Sequence, residues 1–159
     1  MNANVSIAPT SPSTRAAQAT QALTFRIGDA TYGVDIHRVR EIRSWTAVTR
    51  IPEAAPHILG VLNLRGSIVP VMDLRTCFGL EKVEHTRLTV IIVLSVATPQ
   101  GHREFGVVVD SVSEVVDIGG EALKPAPELD GSPSTYLLGL IEHGESLVLL
   151  IDSDKLLLM

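Results

Sequence analysis

The sequence predicts a mainly β fold in which two subdomains of one design pack together, and three observations carry that expectation. Apolar and polar residues alternate along most of the chain, the periodicity of strands with one buried and one wet face. Helical periodicity is confined to short pieces that read as connectors. The third observation is a duplication. Tyr32–Ile42 (YGVDIHRVREI) set above Phe105–Val115 (FGVVVDSVSEV) gives four identities in eleven at an offset of 73, with three more exchanges between similar residues. Leu59–Asp73 (LGVLNLRGSIVPVMD) above Leu138–Asp152 (LGLIEHGESLVLLID) gives five identities in fifteen at an offset of 79, plus five apolar exchanges. Two matches in the same order at nearly the same spacing mark an internal repeat. Two copies are too few for a solenoid, and small barrels are the natural closure because they remove sheet edges.

Taken in order, residues 1–21 contain no apolar run long enough for a signal peptide and too little hydrophobicity to fold, so a disordered tail is expected there. Leu23, Phe25 and Ile27 alternate with Thr24 and Arg26; after a Gly28-Asp29 turn, Tyr32, Val34 and Ile36 alternate again. Further strands are expected at Trp45–Ile51, Leu59–Leu64, Ser67–Leu74, Leu88–Ala97, Arg103–Val109, Ser113–Ile118, Tyr136–His143 and Ser146–Asp152. Leu88–Ala97 is the longest apolar run; it has about half the roughly 20 residues of a membrane helix and reads as a buried strand. Short helical pieces are expected near Ile36–Arg40 and Leu74–Phe78, and after Asp152 or Ser153, either of which can cap DKLLLM. Lys124–Thr135 carries three prolines and a glycine and is expected to be a long surface loop.

The 159 residues are 45% hydrophobic and 19% charged, enough for one sizeable core or two small ones. A formal charge of −5 argues against nucleic acid as a main partner, which would need clustered Lys and Arg. The single cysteine, Cys77, excludes an intrachain disulfide and fits a reducing compartment. No GxSxG, P-loop, GxGxxG or HExxH motif is present, and the five histidines lie singly without a second ligand at metal-binding spacing. The DSD of Asp152–Asp154 lacks the glycine and distal glutamate of a calcium loop. No catalytic constellation, metal or cofactor is expected.

The repeat also acts as an internal control, since a residue the scaffold needs should recur in both copies. Gly60 matches Gly139 and Asp73 matches Asp152, so these read as structural, the glycines allowing a close backbone approach or a bulge. Arg65, at the tip of NLRG, is opposed by Gly144. The hairpin therefore does not need an arginine, and a contact role competes with that of a solvated turn residue. Glu41 is matched by Glu114, which leaves scaffold and contact roles both open.

With these residues in hand, the chain resembles the CheW family, the coupling proteins of bacterial chemotaxis. The resemblance runs from about Leu23 to Leu157 and rests on YGVDIHRVREI, VTRIP, GVLNLRGSIVPVMDLR, FGVVVDSVSEVV, KPAP and YLLGLIEHGESLVLLIDSDKLL. It implies two five-stranded SH3-like β-barrels sharing a hydrophobic core, in a domain of residues 22–157 with repeats near 32–73 and 105–152. It further implies a cytoplasmic, non-enzymatic adaptor that joins chemoreceptor cytoplasmic tips to the regulatory domain of the histidine kinase CheA, recruited to receptor arrays without inserting into the membrane. The family's receptor-binding groove maps onto Ile36, Val39, Glu41, Gly60 and Arg65, continued by Val107, Val109 and Val112 from the second copy; the kinase-binding residues stay unassigned. The competing readings are a small-ligand-binding β-barrel or orphan enzyme using the inter-barrel groove, and an adaptor of a chemotaxis-like pathway such as pilus motility.

Overall fold

The structure is a computed structural model that describes residues 21–118, 123–125 and 136–156. The expected tail up to residue 20 and most of the loop after Lys124 lie outside these residues. Among the described residues, eleven strands form two sheets. Strands β1 (Gln21–Ile27) and β2 (Ala30–Asp35) lie in the first sheet; β3 (Val39–Ser44), β4 (Ile58–Leu64), β5 (Ser67–Asp73), β6 (Val90–Thr98) and β7 (Gly101–Val109) make the second. The chain then returns to the first sheet with β8 (Ser111–Asp117), β9 (Leu123–Lys124), β10 (Leu137–His143) and β11 (Ser146–Ile151). Helices α1 (Leu74–Cys77) and α2 (Ser153–Leu156) follow β5 and β11.

The sheet orders are β8-β1-β2-β11-β10-β9 and β3-β6-β7-β5-β4. Laid on each other, they equate β8 with β3, β1 with β6, β2 with β7, β11 with β5 and β10 with β4, with one parallel pairing in each: β2 with β11 and β7 with β5. The sequence repeat is thus exchanged between sheets. Its first motif in each copy, β2 or β7, pairs with the hairpin strand of the other copy. Arg65, beyond the end of β4, reaches Glu41 on β3 at the opposite edge of its sheet; His143 on β10 likewise reaches Glu114 on β8. Each sheet therefore curls into a barrel.

Three apolar clusters follow from this geometry. One lies inside each barrel: Leu64, Val69, Val71, Ile91, Val93 and Val108 in one, and Ala22, Val116, Ile118, Ile141, Val148 and Leu150 in the other. The largest is shared, with Phe25, Ile27 and Val34 from one sheet meeting Leu94, Phe105 and Val107 from the other. Burying each such side chain contributes about 1.5–3 kcal/mol, so the barrels stabilise one another through this common layer.

The repeated residues are scaffold, as the internal control requires. A Cβ built on Gly60 would lie 2.2 Å from the Thr49 carbonyl oxygen, and one on Gly139 would lie 2.5 Å from that of Lys124. Both glycines also sit at register shifts, opposite β5 and β11 respectively. Only a residue without a side chain fits either bulge. Asp73 and Asp152, buried, cap the two helices by accepting hydrogen bonds from the backbone N–H of Arg75 (3.0 Å) and Asp154 (3.1 Å).

Four expectations need correction. Ile36–Arg38 is a single 3₁₀ turn, and the chain continues as strand β3 where a helix was expected to reach Arg40. The half-buried positions of β3 are Val39, Glu41 and Arg43, two of them charged, which hides the alternation. Trp45–Ile51 is not a strand; Thr49 alone bridges to Val61, and Pro52 follows closely, unable to extend a ladder. Gln21 belongs to β1, paired with Asp117, and Lys124 pairs with Leu140 in β9.

Candidate functional site

The hairpin β4–β5 turns on two residues, Arg65 (φ 51°) and Gly66 (φ 88°), both left-handed. Two positive-φ residues are what a tight two-residue hairpin of matching twist demands, and Asn-Gly or Gly-Gly normally supply them. The NLRG sequence divides its tasks residue by residue. Asn63 Oδ1 accepts a hydrogen bond from the Gly66 N–H at 3.0 Å and fixes the turn. Leu64 is buried in the barrel core. Gly66 takes its left-handed position without strain. Arg65 bears a backbone conformation that costs an ordinary L-residue energy, and its side chain stays 67% exposed.

What the arginine gains is a partner. Its Nη1 donates to Glu41 Oε1 at 2.7 Å, while Arg43 Nη1 donates to Glu41 Oε2 at 3.0 Å. The Arg65 hydrogen bond, chiefly, holds the Glu41 carboxyl below the ordinary carboxylate range, and Glu41 in turn raises the guanidinium. Each oxygen of the carboxylate thus accepts from one arginine, and the Arg65 side chain keeps an exposed face. Arg65 and Glu41 thus form one charged unit that bridges the two edges of the barrel.

The other proposed groove residues fall into three kinds of place. Ile36, Val39 and Val112 are partly buried at the rim of the shared core, near where the chain crosses between sheets. Val107 and Val109 are 1% exposed and belong to that core; strand alternation places their side chains inward, away from any surface a partner could touch. Gly60, buried beneath the Thr49 carbonyl, is required by the fold.

Sequence reasoning missed two further polar links. Arg75 of α1 forms a two-pronged pair with Asp110, Nε to Oδ1 at 3.0 Å and Nη2 to Oδ2 at 2.7 Å. Asp110 also accepts from the Gly28 N–H at 2.8 Å. The Arg75 hydrogen bond is the main cause of a depressed Asp110 pKa. This pair clamps the link by which the chain leaves β7 for β8. At the opposite crossing, between β2 and β3, Arg38 meets Asp154 of α2 at 3.3 Å. Asp154 stands at the repeat position of Arg75, 79 residues on, so the clamp recurs with its charges exchanged. An offset comparison reveals the positional match, but only the folded crossing reveals the contact.

Among the described residues, no cluster of three or more His, Cys, Asp or Glu side chains is placed to hold a metal. No helix among them is long and apolar enough to cross a membrane. Burial pushes the Cys77 thiol up to about 11, so it stays protonated and weakly nucleophilic near neutrality.

The class of protein is thus a pair of fused β-barrels with a shared core and an arginine–glutamate pair at one hairpin tip. The CheW-like domain family model matches residues 21–159. The chain is 45% identical over 136 residues to chemotaxis protein CheW of Klebsiella aerogenes, covering 85% of this chain and 80% of that one. It is 34% identical over 137 residues to the probable chemotaxis protein CheW of Rhizobium etli, covering 86% of each. The crystal structure of the scaffolding protein TtCheW from Thermoanaerobacter tengcongensis superposes with a TM-score of 0.76 at 28% identity, covering 84% of this chain and 89% of that chain. The chain belongs to the CheW family of chemotaxis scaffold proteins.

Proposed function

We propose that this protein is a non-enzymatic adaptor that binds the cytoplasmic hairpin tip of a chemoreceptor and the regulatory domain of the histidine kinase CheA, and so couples one to the other. The observation that carries this reading is Arg65. A left-handed, exposed arginine is kept where the duplicated hairpin uses glycine, and it is pinned by Glu41 rather than left to roam. Strain of this kind persists where a side chain has a task. Around it, Ile36, Val39 and Val112 offer apolar surface to a receptor helix, as in helix-in-groove recognition, while the arginine fixes register. The adaptor works in the cytoplasm at the receptor array.

The test is isothermal titration of a soluble receptor hairpin from the same organism into wild type and Arg65→Glu, with circular dichroism to verify folding. The expected outcome is a folded variant whose affinity falls by at least tenfold. Equal affinity of the two proteins would remove Arg65 from the interface.

A further inference from the structure

A cleft of about 600 Å³ opens beside the Arg65 turn. Ser67, the first residue of β5, stands in its wall, together with Ile68, Arg40 of β3 and Arg103 and Glu104 of β7. Ser67 directly follows the Arg65–Gly66 turn and Arg40 directly precedes Glu41, so the cleft adjoins the charged unit described above. Ile68 is 64% exposed. Arg40 and Arg103 are exposed as well, and neither makes an ion pair among the described residues.

The duplication again separates scaffold from task. At the offset of 73, Arg40 corresponds to Ser113 and Arg103 to Ala30, whereas at the offset of 79 Ile68 corresponds to Leu147, itself 53% exposed. Both barrels therefore present an aliphatic side chain at this place, and only one surrounds it with arginines. Arg40, Arg43, Arg65 and Arg103 stand on and around the cleft beside two carboxylates, Glu41, which pairs with Arg43 and Arg65, and Glu104 in the cleft wall. This occurs on a chain with 13 basic and 18 acidic residues. Positive charge is concentrated here against the overall balance, and Arg40 and Arg103 are the unspent part of it. An apolar anchor flanked by unpaired guanidinium groups complements an amphipathic helix that presents an aliphatic side chain with carboxylates beside it. The chain's own first 20 residues contain no Asp or Glu, so they do not supply that complement.

We infer that the cleft extends the Arg65 site and takes an acidic, amphipathic face of the receptor hairpin, with Arg40 and Arg103 receiving its carboxylates and Ile68 its aliphatic contact; this rests on the receptor-binding reading above. The variant Arg40→Ser/Arg103→Ala installs the side chains that the other barrel carries, so the scaffold tolerates them. Titration of the soluble receptor hairpin into wild type and this variant is made at low and high salt, with thermal melting to verify folding and a parallel titration of the CheA regulatory domain. The expected result is hairpin affinity lowered about fivefold or more at low salt, a flatter salt dependence, and unchanged kinase binding. Equal hairpin affinity and salt dependence in the two proteins overturns the cleft assignment while leaving the receptor reading intact. A loss confined to the kinase also overturns it, by giving the cleft to the other partner. Absence of hairpin binding by wild type overturns both.

Discussion

The two hairpin tips of this protein have the same ancestry and different occupants. In the first, Arg65 and Gly66 are both left-handed and the arginine meets Glu41 at 2.7 Å. In the second, Gly144 at φ 62° opens the turn, and His143, one position earlier, meets Glu114 at 3.2 Å. A glutamate on the edge strand reaching the hairpin end is therefore common to both barrels and reads as part of their closure. The arginine is not common, and it sits in the conformation that suits glycine better. The difference separates what the barrel needs from what one barrel has been given to do.

The comparison is sharpened by substitutions in both copies, the largest expected effect on stability coming first. Gly60→Ala and Gly139→Ala each force a methyl group against a backbone carbonyl that cannot yield cheaply. Each is expected to cost about 3 kcal/mol or more, lowering the melting temperature by roughly 6–12 °C or preventing folding. Equal losses would establish the shared scaffold, and indifference at either site would break the equivalence of the bulges.

The exchanged clamps come next. Asp110→Asn removes the charge that Arg75 grips with two hydrogen bonds, at an expected cost of about 2 kcal/mol near neutrality. Because the Asp110 pKa is depressed in the folded state, its contribution is present above the ordinary aspartate value near 4 and is lost as pH falls toward the folded value. Melting curves between about pH 2 and 7 should therefore show a shallower acid limb in Asp110→Asn than in wild type. The single 3.3 Å contact of Arg38 with Asp154 predicts a smaller loss for Arg38→Ala. An identical pH profile for wild type and Asp110→Asn would show that the first clamp contributes nothing.

The smallest stability change has the sharpest meaning. Arg65→Gly relieves a left-handed L-residue, and Gly144→Arg creates one, so their melting temperatures should move in opposite directions by about 2–4 °C. If Arg65→Gly melts higher and yet loses the receptor hairpin, the arginine is retained for contact at the expense of stability. A lower melting temperature would instead make Arg65 a structural residue.

Much of this was legible in the chain itself, for physical reasons. Leu23, Phe25 and Ile27 are buried as their alternation announced, but Thr24 between them is buried too, and in β5 Val71, Met72 and Asp73 are buried in succession, because each strand is covered on both faces; Gly60/Gly139 and Asp73/Asp152 announced scaffold roles because a duplicated chain repeats its constraints. Strand β3 was hidden because Glu41 and Arg43 occupy its half-buried positions, pairing with each other while Glu41 also takes the distant Arg65. The burial of the expected groove residues was legible only in part. Apolar strand residues on opposite faces look alike in sequence, so Val107 and Val109 could not be told from Val112 before the shared core was seen. The unpaired state of Arg40 and Arg103 depends on which strands meet at the cleft, and no local pattern carries that information.

The exchange of strands between sheets has a consequence during synthesis. The second barrel is written in one stretch, from Val39 to Val109, and has all its strands once that stretch has left the ribosome. The first barrel is written in two, and β2 waits for β11: Thr31 pairs with Val148. Until then β2 of the newborn β1–β2 hairpin presents an open edge, held in abeyance while the other barrel takes shape. A gene rearranged to begin at Val39, with the β1–β2 segment joined behind α2, would spell each barrel as one uninterrupted sentence and release the nascent chain from that wait.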